Sequence, residues 1–261
     1  MVERITSAQN PKIKELLALQ EKSRLRRERG LFVVEGRREL AHCVEAGFTV
    51  DTVFVCPEIF QGASMPEGVR IVEVTPDLYG KIAYRGGTEG IMAEVRVRER
   101  GLQDLVLPAN PLVIVLESVE KPGNLGAVLR SADAAGADAV IVCDPLTDLF
   151  NPNLIRASLG GIFTVPCVAT DSPSAIAWLK KQGLRILTAQ LQDSVWYYDS
   201  DMTCGTAIVV GTESTGLTDQ WRRAAHGHIR IPMLGRLDSL NASVSAAILL
   251  FEAVRQRQAR R

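Results

Sequence analysis

The chain of 261 residues lacks several features that would indicate a function at once. Its 30 basic residues balance its 30 acidic ones, so no strong overall charge attracts nucleic acid or a membrane surface. No apolar run approaches the roughly 20 residues that cross a bilayer, and no signal peptide is recognisable. We therefore expect a cytoplasmic protein without a membrane partner. Only 5% of the residues are aromatic, which argues against a broad base-stacking platform.

The few cysteines and histidines exclude two further classes of site. Five cysteines, at positions 43, 56, 143, 167 and 204, include no CxxC pair, and three of them fall in apolar runs. This pattern predicts small buried side chains rather than a disulfide framework. His226 and His228 are spaced as metal ligands on a strand can be. A third ligand is missing nearby, so we expect no metal.

Hydrophobic periodicity divides the chain into two α/β parts. In the first part, a helix is predicted at 11–21, strands at 31–35, 49–55, 69–74 and 91–97, and helices at 37–46 and 76–83. This alternation predicts a small α/β layer structure. The polar stretch 98–103, followed by Pro108 and Pro111, is the best linker candidate. We therefore expect domains at 1–107 and 108–261.

The second part has longer and more apolar strands. They are predicted at 112–116, 139–143, 163–168, 186–190 and 207–210, with helices at 125–135, 173–182 and 218–225. Near-continuous apolar runs are typical of strands that are covered on both faces. Apolar residues spaced three and four apart from Leu240 to Val254 predict a terminal helix. The fold class is α/β, with a mostly parallel, doubly wound sheet in this part.

Three segments of the second part place polar residues after apolar strands, where open α/β sheets bind ligands. They read NLGAVLR (124–130), GTESTGL (211–217) and IPMLGRLDSLNAS (231–243). Each has an ordinary structural interpretation, because Arg130 could pair with Asp133 and Ser239 could cap the terminal helix. Neither GxGxxG nor GxxxxGK[ST] is present, so a dehydrogenase or nucleotide-binding enzyme would lack its phosphate cradle.

Taken in this order, the segments resemble the three motifs of the SpoU-type (TrmH-like) RNA ribose 2′-O-methyltransferases of the SPOUT superfamily. The stretch RASLGGIFTVP (156–166) is similar to a further family element. The first part resembles, more loosely, the small ribosomal-protein-like RNA-binding domain often attached to these enzymes. The resemblance implies a deep trefoil knot in the second domain, S-adenosyl-L-methionine as cofactor, and a homodimer formed through this domain.

The resemblance also implies roles for matching positions. Arg130 matches the catalytic arginine, which we expect to hold an RNA phosphate and orient the hydroxyl, because a guanidinium with a pKa above about 12 is a poor base. The polar residues around it would be Asn124, Glu213, Ser239 and Asn241. The cofactor would lie against Thr188, Ala189, Gly211, Ile231 and Leu240.

Basic stretches of the first part are candidates for contact with RNA phosphates. The arginines that we single out are Arg24, Arg26, Arg27, Arg37 and Arg38. Solvated helix faces are the plainer interpretation of such stretches.

The sequence thus predicts methyl transfer from S-adenosyl-L-methionine to a ribose 2′-hydroxyl of structured RNA. Ribosomal RNA is favoured over transfer RNA, because the first domain resembles those of ribosomal-RNA enzymes. No metal is required, since a sulfonium is already an activated methyl donor. The main alternative is a noncatalytic RNA-binding relative that acts in ribosome assembly, and the intact set of five polar site residues speaks against it.

Overall fold

A computed structural model of the chain describes residues 2–62, 68–84, 89–212 and 215–259. Its elements, in chain order, are β1 (Glu3–Ile5), α1 (Pro11–Glu21), α2 (Ser23–Arg29), β2 (Leu31–Glu35), α3 (Arg37–Glu45), β3 (Val50–Val55), β4 (Arg70–Val74), α4 (Pro76–Ile82), β5 (Ile91–Arg96), β6 (Leu112–Glu117), α5 (Pro122–Ala134), β7 (Ala139–Cys143), α6 (Pro152–Ala157), α7 (Gly161–Thr164), β8 (Cys167–Thr170), α8 (Ser172–Lys181), β9 (Arg185–Ala189), β10 (Val195–Trp196), β11 (Thr206–Val210), α9 (Asp219–Ala224), β12 (Gly227–Arg230) and α10 (Ala242–Gln258). Short 3₁₀ turns lie at Leu102–Asp104 and Tyr197–Asp199.

Contacts group the chain into two units. The first unit comprises Met1–Arg98 and Asp148–Thr164, and the second comprises Glu99–Thr147 and Val165–Arg261. The contacts of the segment Asp148–Thr164 thus assign it to the first unit, although it follows β7 in sequence. The division into domains near residue 107 stays a prediction.

The first unit is built on a five-stranded mixed sheet in the order β1-β4-β3-β5-β2. β4 runs parallel to both of its neighbours, whereas β5 runs antiparallel to β3 and β2. α1 begins at Pro11, and the side chain of the preceding Asn10 accepts a hydrogen bond from the Lys12 amide, a favourable helix start. The strands and helices predicted for this part are confirmed to within about two residues, the usual uncertainty of an element end. β1 and α2 were not predicted.

The second unit contains a seven-stranded sheet in which every strand pair is parallel, as predicted. The order is β10-β12-β9-β11-β6-β7-β8, so β12, β9, β11 and β6 are consecutive neighbours. Because parallel strands end at the same edge, the segments that follow these four strands emerge side by side. All three sequence motifs begin within those segments. The trefoil knot implied by the family resemblance stays a prediction.

One secondary-structure prediction in the second half of the chain was wrong, and α6, β10 and β12 were missed. Residues 163–164 lie in α7 rather than in a strand, and β8 begins only at Cys167. A short apolar run does not distinguish a buried helix from a buried strand, which explains this error. β12 was not predicted, because Gly227–Arg230 holds a single fully buried apolar residue, Ile229.

The cysteines are all free thiols, and Cys204 alone among them is exposed. Burial raises the pKa of Cys43, Cys143 and Cys167 to about 12, so these thiols stay protonated and act as small apolar side chains. Within the described ranges, no group of histidine, cysteine, aspartate or glutamate residues has the arrangement of a metal site. None of the helices described here combines the length and apolarity that crossing a bilayer requires.

Candidate active site

A cleft of about 360 Å³ opens in the second unit, beyond the carboxyl ends of β9, β11 and β12. Its walls come from four places: 189–192 at the end of β9, the described residues 210–212 and 215–217 at the end of β11, Arg222 on α9, and residues between Ile229 of β12 and Ser245 of α10. Pockets for small molecules typically measure about 300–1,000 Å³ and combine apolar walls with a few polar groups. The cleft meets this description.

Four of the five predicted cofactor contacts line this cleft. They are Ala189, Gly211, Ile231 and Leu240. Thr188 is not among the lining residues. Its side chain is fully buried, and its hydroxyl lies 2.6 Å from Nδ1 of His228. The same hydroxyl lies 3.5 Å from Oε1 of Gln190, which lines the cleft, and a role for Thr188 in the cofactor site stays a prediction.

The loop after β11 folds back tightly on itself at Gly211. A Cβ atom at this position would lie 2.5 Å from the carbonyl carbon and oxygen of Gly216 and 2.7 Å from the Leu217 nitrogen. Thr212 and Gly216 form an antiparallel bridge across the loop, and the Gly216 amide donates to the Thr212 carbonyl at 3.1 Å. Only glycine fits at position 211, so backbone forms this wall of the cleft.

A smaller side cavity of about 120 Å³ adjoins the cleft. Gly211, Thr212 and Ala242 line both spaces, and the other walls of the side cavity are Val119, Glu120, Lys121 and Asn124. The side-chain amide of Asn241 donates to Oδ1 of Asn124 at 3.2 Å, across 117 positions of sequence. This hydrogen bond brings the first and third motifs together beside the cleft.

Asn241 also determines where α10 begins. Its Oδ1 accepts hydrogen bonds from the Ser243 amide at 3.0 Å and the Ser243 hydroxyl at 2.5 Å, which makes Asn241 the N-cap. The interpretation of Ser239 as the cap is therefore wrong. Ser239 lines the cleft instead, and its hydroxyl donates to Oδ1 of Asp238 at 3.1 Å.

Arg130 lies on α5, exposed to solvent, six residues beyond Asn124. Six residues advance a helix by about 9 Å and turn it by about 240°, so the two side chains leave α5 in different directions. Arg130 is not among the residues that line the cleft or the side cavity. The predicted site residue Glu213 lies outside the described residues.

The arginines predicted to contact RNA belong to the first unit. Arg24, Arg27, Arg37 and Arg38 are exposed, and the last two open α3. Arg26 is only 2% exposed. Its Nε donates to Asp148 at 2.6 Å, and its Nη1 donates to the carbonyls of Leu19 and Gln20. This burial corrects the prediction that Arg26 meets RNA, because its donors are already used inside the protein.

Sequence reasoning missed two cations of the cleft wall, Arg222 and Arg230. The guanidinium of Arg230 lies 4.3 Å from the ring centre of Trp196, a cation–π contact at the sheet edge. The Nε atoms of both arginines are buried and have no hydrogen-bond partner among the described residues. The position of Arg230 directly before the IPM motif was the available signal.

Comparison with known proteins agrees with this geometry. A model of the SpoU rRNA Methylase family matches residues 111–251, and one of the MRM3-like substrate binding domain matches residues 10–93. The chain is 28% identical over 250 residues to the 23S rRNA (guanosine(2553)-2′-O)-methyltransferase RlmP of Bacillus subtilis, which covers 96% of this chain and 98% of RlmP.

Two solved structures resemble the chain over nearly its whole length. A crystal structure of an RNA 2′-O ribose methyltransferase is 38% identical, with a TM-score of 0.84 over 98% of this chain and 99% of that one. An AdoMet-bound rRNA methyltransferase from Sinorhizobium meliloti is 30% identical, with a TM-score of 0.89 over 97% of this chain and 98% of that one. Since the family model also spans more than half of its length, the chain belongs to the SpoU rRNA methylase family.

Proposed function

We propose that this protein transfers a methyl group from S-adenosyl-L-methionine to a ribose 2′-hydroxyl of ribosomal RNA. The observation that carries the proposal is the hydrogen bond between Asn124 and Asn241. It joins two family motifs at a cavity that shares Gly211 with the neighbouring cleft. A donor site and an acceptor site therefore adjoin each other, as a direct group transfer requires.

The cleft suits the methyl donor. Apolar side chains of Ile231 and Leu240 would enclose the adenine, and backbone groups at Ala189 and Gly211 would satisfy its polar edge. When bound, the cofactor supplies a methyl group on a sulfonium, which leaves as a neutral thioether. The protein has to hold this donor and exclude water from the line of attack.

The side cavity suits the acceptor ribose. The amide of Asn124, which lines this cavity and is held by Asn241, would orient the ribose. The 2′-oxygen then bonds to the methyl carbon as the carbon–sulfur bond breaks and the hydroxyl proton is released. Arg130 is assigned to the RNA phosphate next to this ribose, because a permanently charged guanidinium binds phosphate well and removes protons poorly. Glu213 and Ser239 complete the proposed polar set.

Ribosomal RNA is the proposed substrate class because of the relatives described above. RlmP is named for a position in 23S rRNA, and the Sinorhizobium protein is named as an rRNA methyltransferase. Exposed Arg24, Arg27, Arg37 and Arg38 of the first unit are proposed to bind its phosphates. Transfer RNA is the alternative substrate, and it can be tested in the same assay.

We also propose that the protein acts as a cytoplasmic homodimer formed through the second unit. Its helix α10 buries Ala246, Leu249 and Leu250, yet it also presents Val244 and Phe251 to solvent, at 46% and 48% exposure. These two residues are seven positions apart and therefore lie on one face of the helix. A second copy of the chain would cover this apolar stripe.

The test is a methyl-transfer assay on ribosomal and transfer RNA from cells that lack the protein. The purified chain is incubated with methyl-labelled S-adenosylmethionine, and the RNA is digested to nucleosides. Label in a 2′-O-methylnucleoside of ribosomal RNA is the expected result. Label in transfer RNA alone would reassign the substrate, and RNA binding without any transfer would support a noncatalytic relative instead.

A further inference from the structure

A buried carboxylate ends β6, the strand that pairs with β11 and leads to the side cavity. Glu117 is the last residue of β6 and is only 2% exposed. None of the three family motifs includes it, and it lines neither cavity. A carboxylate is costly to bury unless hydrogen bonds compensate for its lost hydration, so its partners indicate what it does.

The partners of Glu117 lie at the end of the loop that follows β11. Its Oε2 accepts from the Thr218 amide at 2.8 Å, and its Oε1 accepts from the Thr218 hydroxyl at 2.6 Å. Longer contacts reach Oε1 from the Gln220 side-chain amide at 3.5 Å and from the Ser172 hydroxyl at 3.4 Å. The two short bonds both come from Thr218, because the single hydroxyl proton of Ser172 is donated to Oδ2 of Asp144 at 2.6 Å.

The hydroxyl of Thr218 bonds to Glu117 instead of capping its own helix. Thr218 occupies the N-cap position of α9, where a threonine hydroxyl usually accepts a hydrogen bond from the first turn of the helix. Here that cap bond is absent, and the hydroxyl donates to Glu117 instead. The loop from Gly211 to Leu217 is therefore attached at its far end to β6, the strand that also pairs with β11 at its near end.

The backbone next to Thr218 packs directly against Gly211 in the cleft wall. Leu217 precedes Thr218, and its nitrogen lies within 2.7 Å of the place where a Cβ of Gly211 would stand. A shift of Thr218 therefore displaces the backbone packed against Gly211. Thr212, Thr215 and Gly216 of the same loop line the cleft as well.

The backbone after Glu117 leads to the other cavity. Ser118 has a φ of 53°, a left-handed conformation that is uncommon for a residue other than glycine, and its amide donates to the Cys143 carbonyl at 2.9 Å. Val119, Glu120 and Lys121 then line the side cavity. The side chain of Glu117 thus holds the end of the loop after β11, and its backbone leads directly into the residues that line the side cavity.

We infer that Glu117 is a positioning residue for methyl transfer: its carboxylate fixes Thr218 and so holds the neighbouring backbone of Gly211 and 215–217 in the shape that binds the methyl donor. It touches neither substrate. The inference rests on the proposed function of the cleft. Its physical basis is that supporting hydrogen bonds keep the groups that contact a ligand in their productive geometry.

The decisive variant is Glu117→Gln, which keeps the size of the side chain. An amide offers one oxygen, so its NH₂ group must face one of the two Thr218 donors. We expect the affinity for S-adenosylmethionine, measured by calorimetry, to fall about tenfold or more, as the loss of a hydrogen bond to a charged group predicts. Methyl transfer at limiting cofactor should fall in parallel, whereas RNA affinity should not change.

A matched control separates positioning from stability. Asp138 accepts a hydrogen bond from the Leu112 amide at 2.7 Å, at the opposite end of β6. Asp138→Asn changes a carboxylate to an amide in the same sheet, and it should lower the unfolding midpoint without weakening cofactor binding. Wild-type cofactor affinity in a folded Glu117→Gln protein would overturn the inference, as would an equal loss of affinity in Asp138→Asn.

A double-mutant cycle tests the specific partner. Thr218→Val removes the hydroxyl that Glu117 binds and nearly preserves side-chain volume. If Glu117 acts through Thr218, the losses of cofactor affinity in the single variants should be non-additive in the double variant. Independent losses would contradict the inference. Failure of the wild-type protein to bind the cofactor would instead refute the proposed function itself.

Discussion

At the scale of single residues, Arg130 carries the sharpest functional prediction. Arg130→Ala should lower the rate of methyl transfer by at least about 10²-fold, because orientation of a reacting group typically contributes that much. The affinity for S-adenosylmethionine should stay unchanged, since Arg130 is not a lining residue of the cleft. Single-turnover kinetics together with calorimetry measure both quantities.

The control for Arg130 is Arg223→Ala, which removes an exposed arginine of α9. It should leave both the rate and the affinity near the wild-type values. If Arg130→Ala turned over normally, the assigned role would be wrong. A matching loss of cofactor affinity in Arg130→Ala would place this arginine in the donor site instead.

Glu94 of β5 gives a pH-dependent prediction for stability. It is 9% exposed, and its pKa is raised from 4.5 to about 7, chiefly by burial and further by Glu15 and Asp51. Between these two values the folded state binds the proton and the unfolded state releases it. Stability therefore falls as the pH rises through this window, and the whole penalty is present above pH 7.

Replacing Glu94 by glutamine should remove this dependence. At about pH 8 the free energy of unfolding of Glu94→Gln should exceed that of the wild type by on the order of 1–3 kcal/mol, and at about pH 5 the difference should shrink. Urea titrations at the two pH values measure it. The exposed Glu45→Gln serves as control and should show no such change, and a difference independent of pH would refute the explanation.

At the scale of elements, the segment Asp148–Thr164 packs with the first unit, although in sequence it lies between two strands of the second unit. Phe150 stacks on Phe32 with ring centres 4.4 Å apart, and Phe163 lies 5.4 Å from Phe48. Asp148 holds the buried guanidinium of Arg26. An aromatic cluster and a buried ion pair thus attach this segment to the first unit.

The ion pair predicts a large loss of stability on truncation. Arg26→Ala should cost about 3–5 kcal/mol, because it leaves Asp148 and two backbone carbonyls without their donor. Arg24→Ala should cost less than about 1 kcal/mol, since its pair with Glu28 is exposed. Denaturant unfolding compares the two. Equal costs would contradict the structural role of Arg26, and the double variant Arg26→Met, Asp148→Leu should recover much of the loss.

The strands and the order of the motifs could be predicted from the sequence, whereas the burial and the hydrogen-bond partners of single side chains could not. Near-continuous apolar runs indicate parallel strands because both of their faces must be covered, and they located β6, β7, β9 and β11. The burial of Arg26 could not be predicted, because its partner Asp148 lies 122 positions away. The contact of Glu117 could not be predicted for the same reason, since its partner Thr218 is 101 positions distant.

Family motifs supplied what periodicity could not for the candidate site. They indicated Asn124 and Asn241, whose contact follows from strand order and not from local pattern. The end of β9 also indicated Thr188 and Ala189, and of these two Ala189 lines the cleft while Thr188 is buried beside His228. A motif gives the position of a segment, and the folded backbone decides which of its side chains reach the cleft.

At the scale of the whole molecule, the apolar stripe on α10 predicts the homodimer. Phe251→Arg should convert the protein to a monomer, because a charge placed in a desolvated interface lacks a partner. Val106→Arg puts the same charge at a residue that is 92% exposed, and it should leave the assembly unchanged. Sedimentation velocity measures the mass of each variant, and thermal unfolding checks that both are folded. A wild-type protein that sediments as a monomer while it transfers methyl groups would contradict the proposed dimer, and a Phe251→Arg protein that remains dimeric would place the interface elsewhere on the second unit.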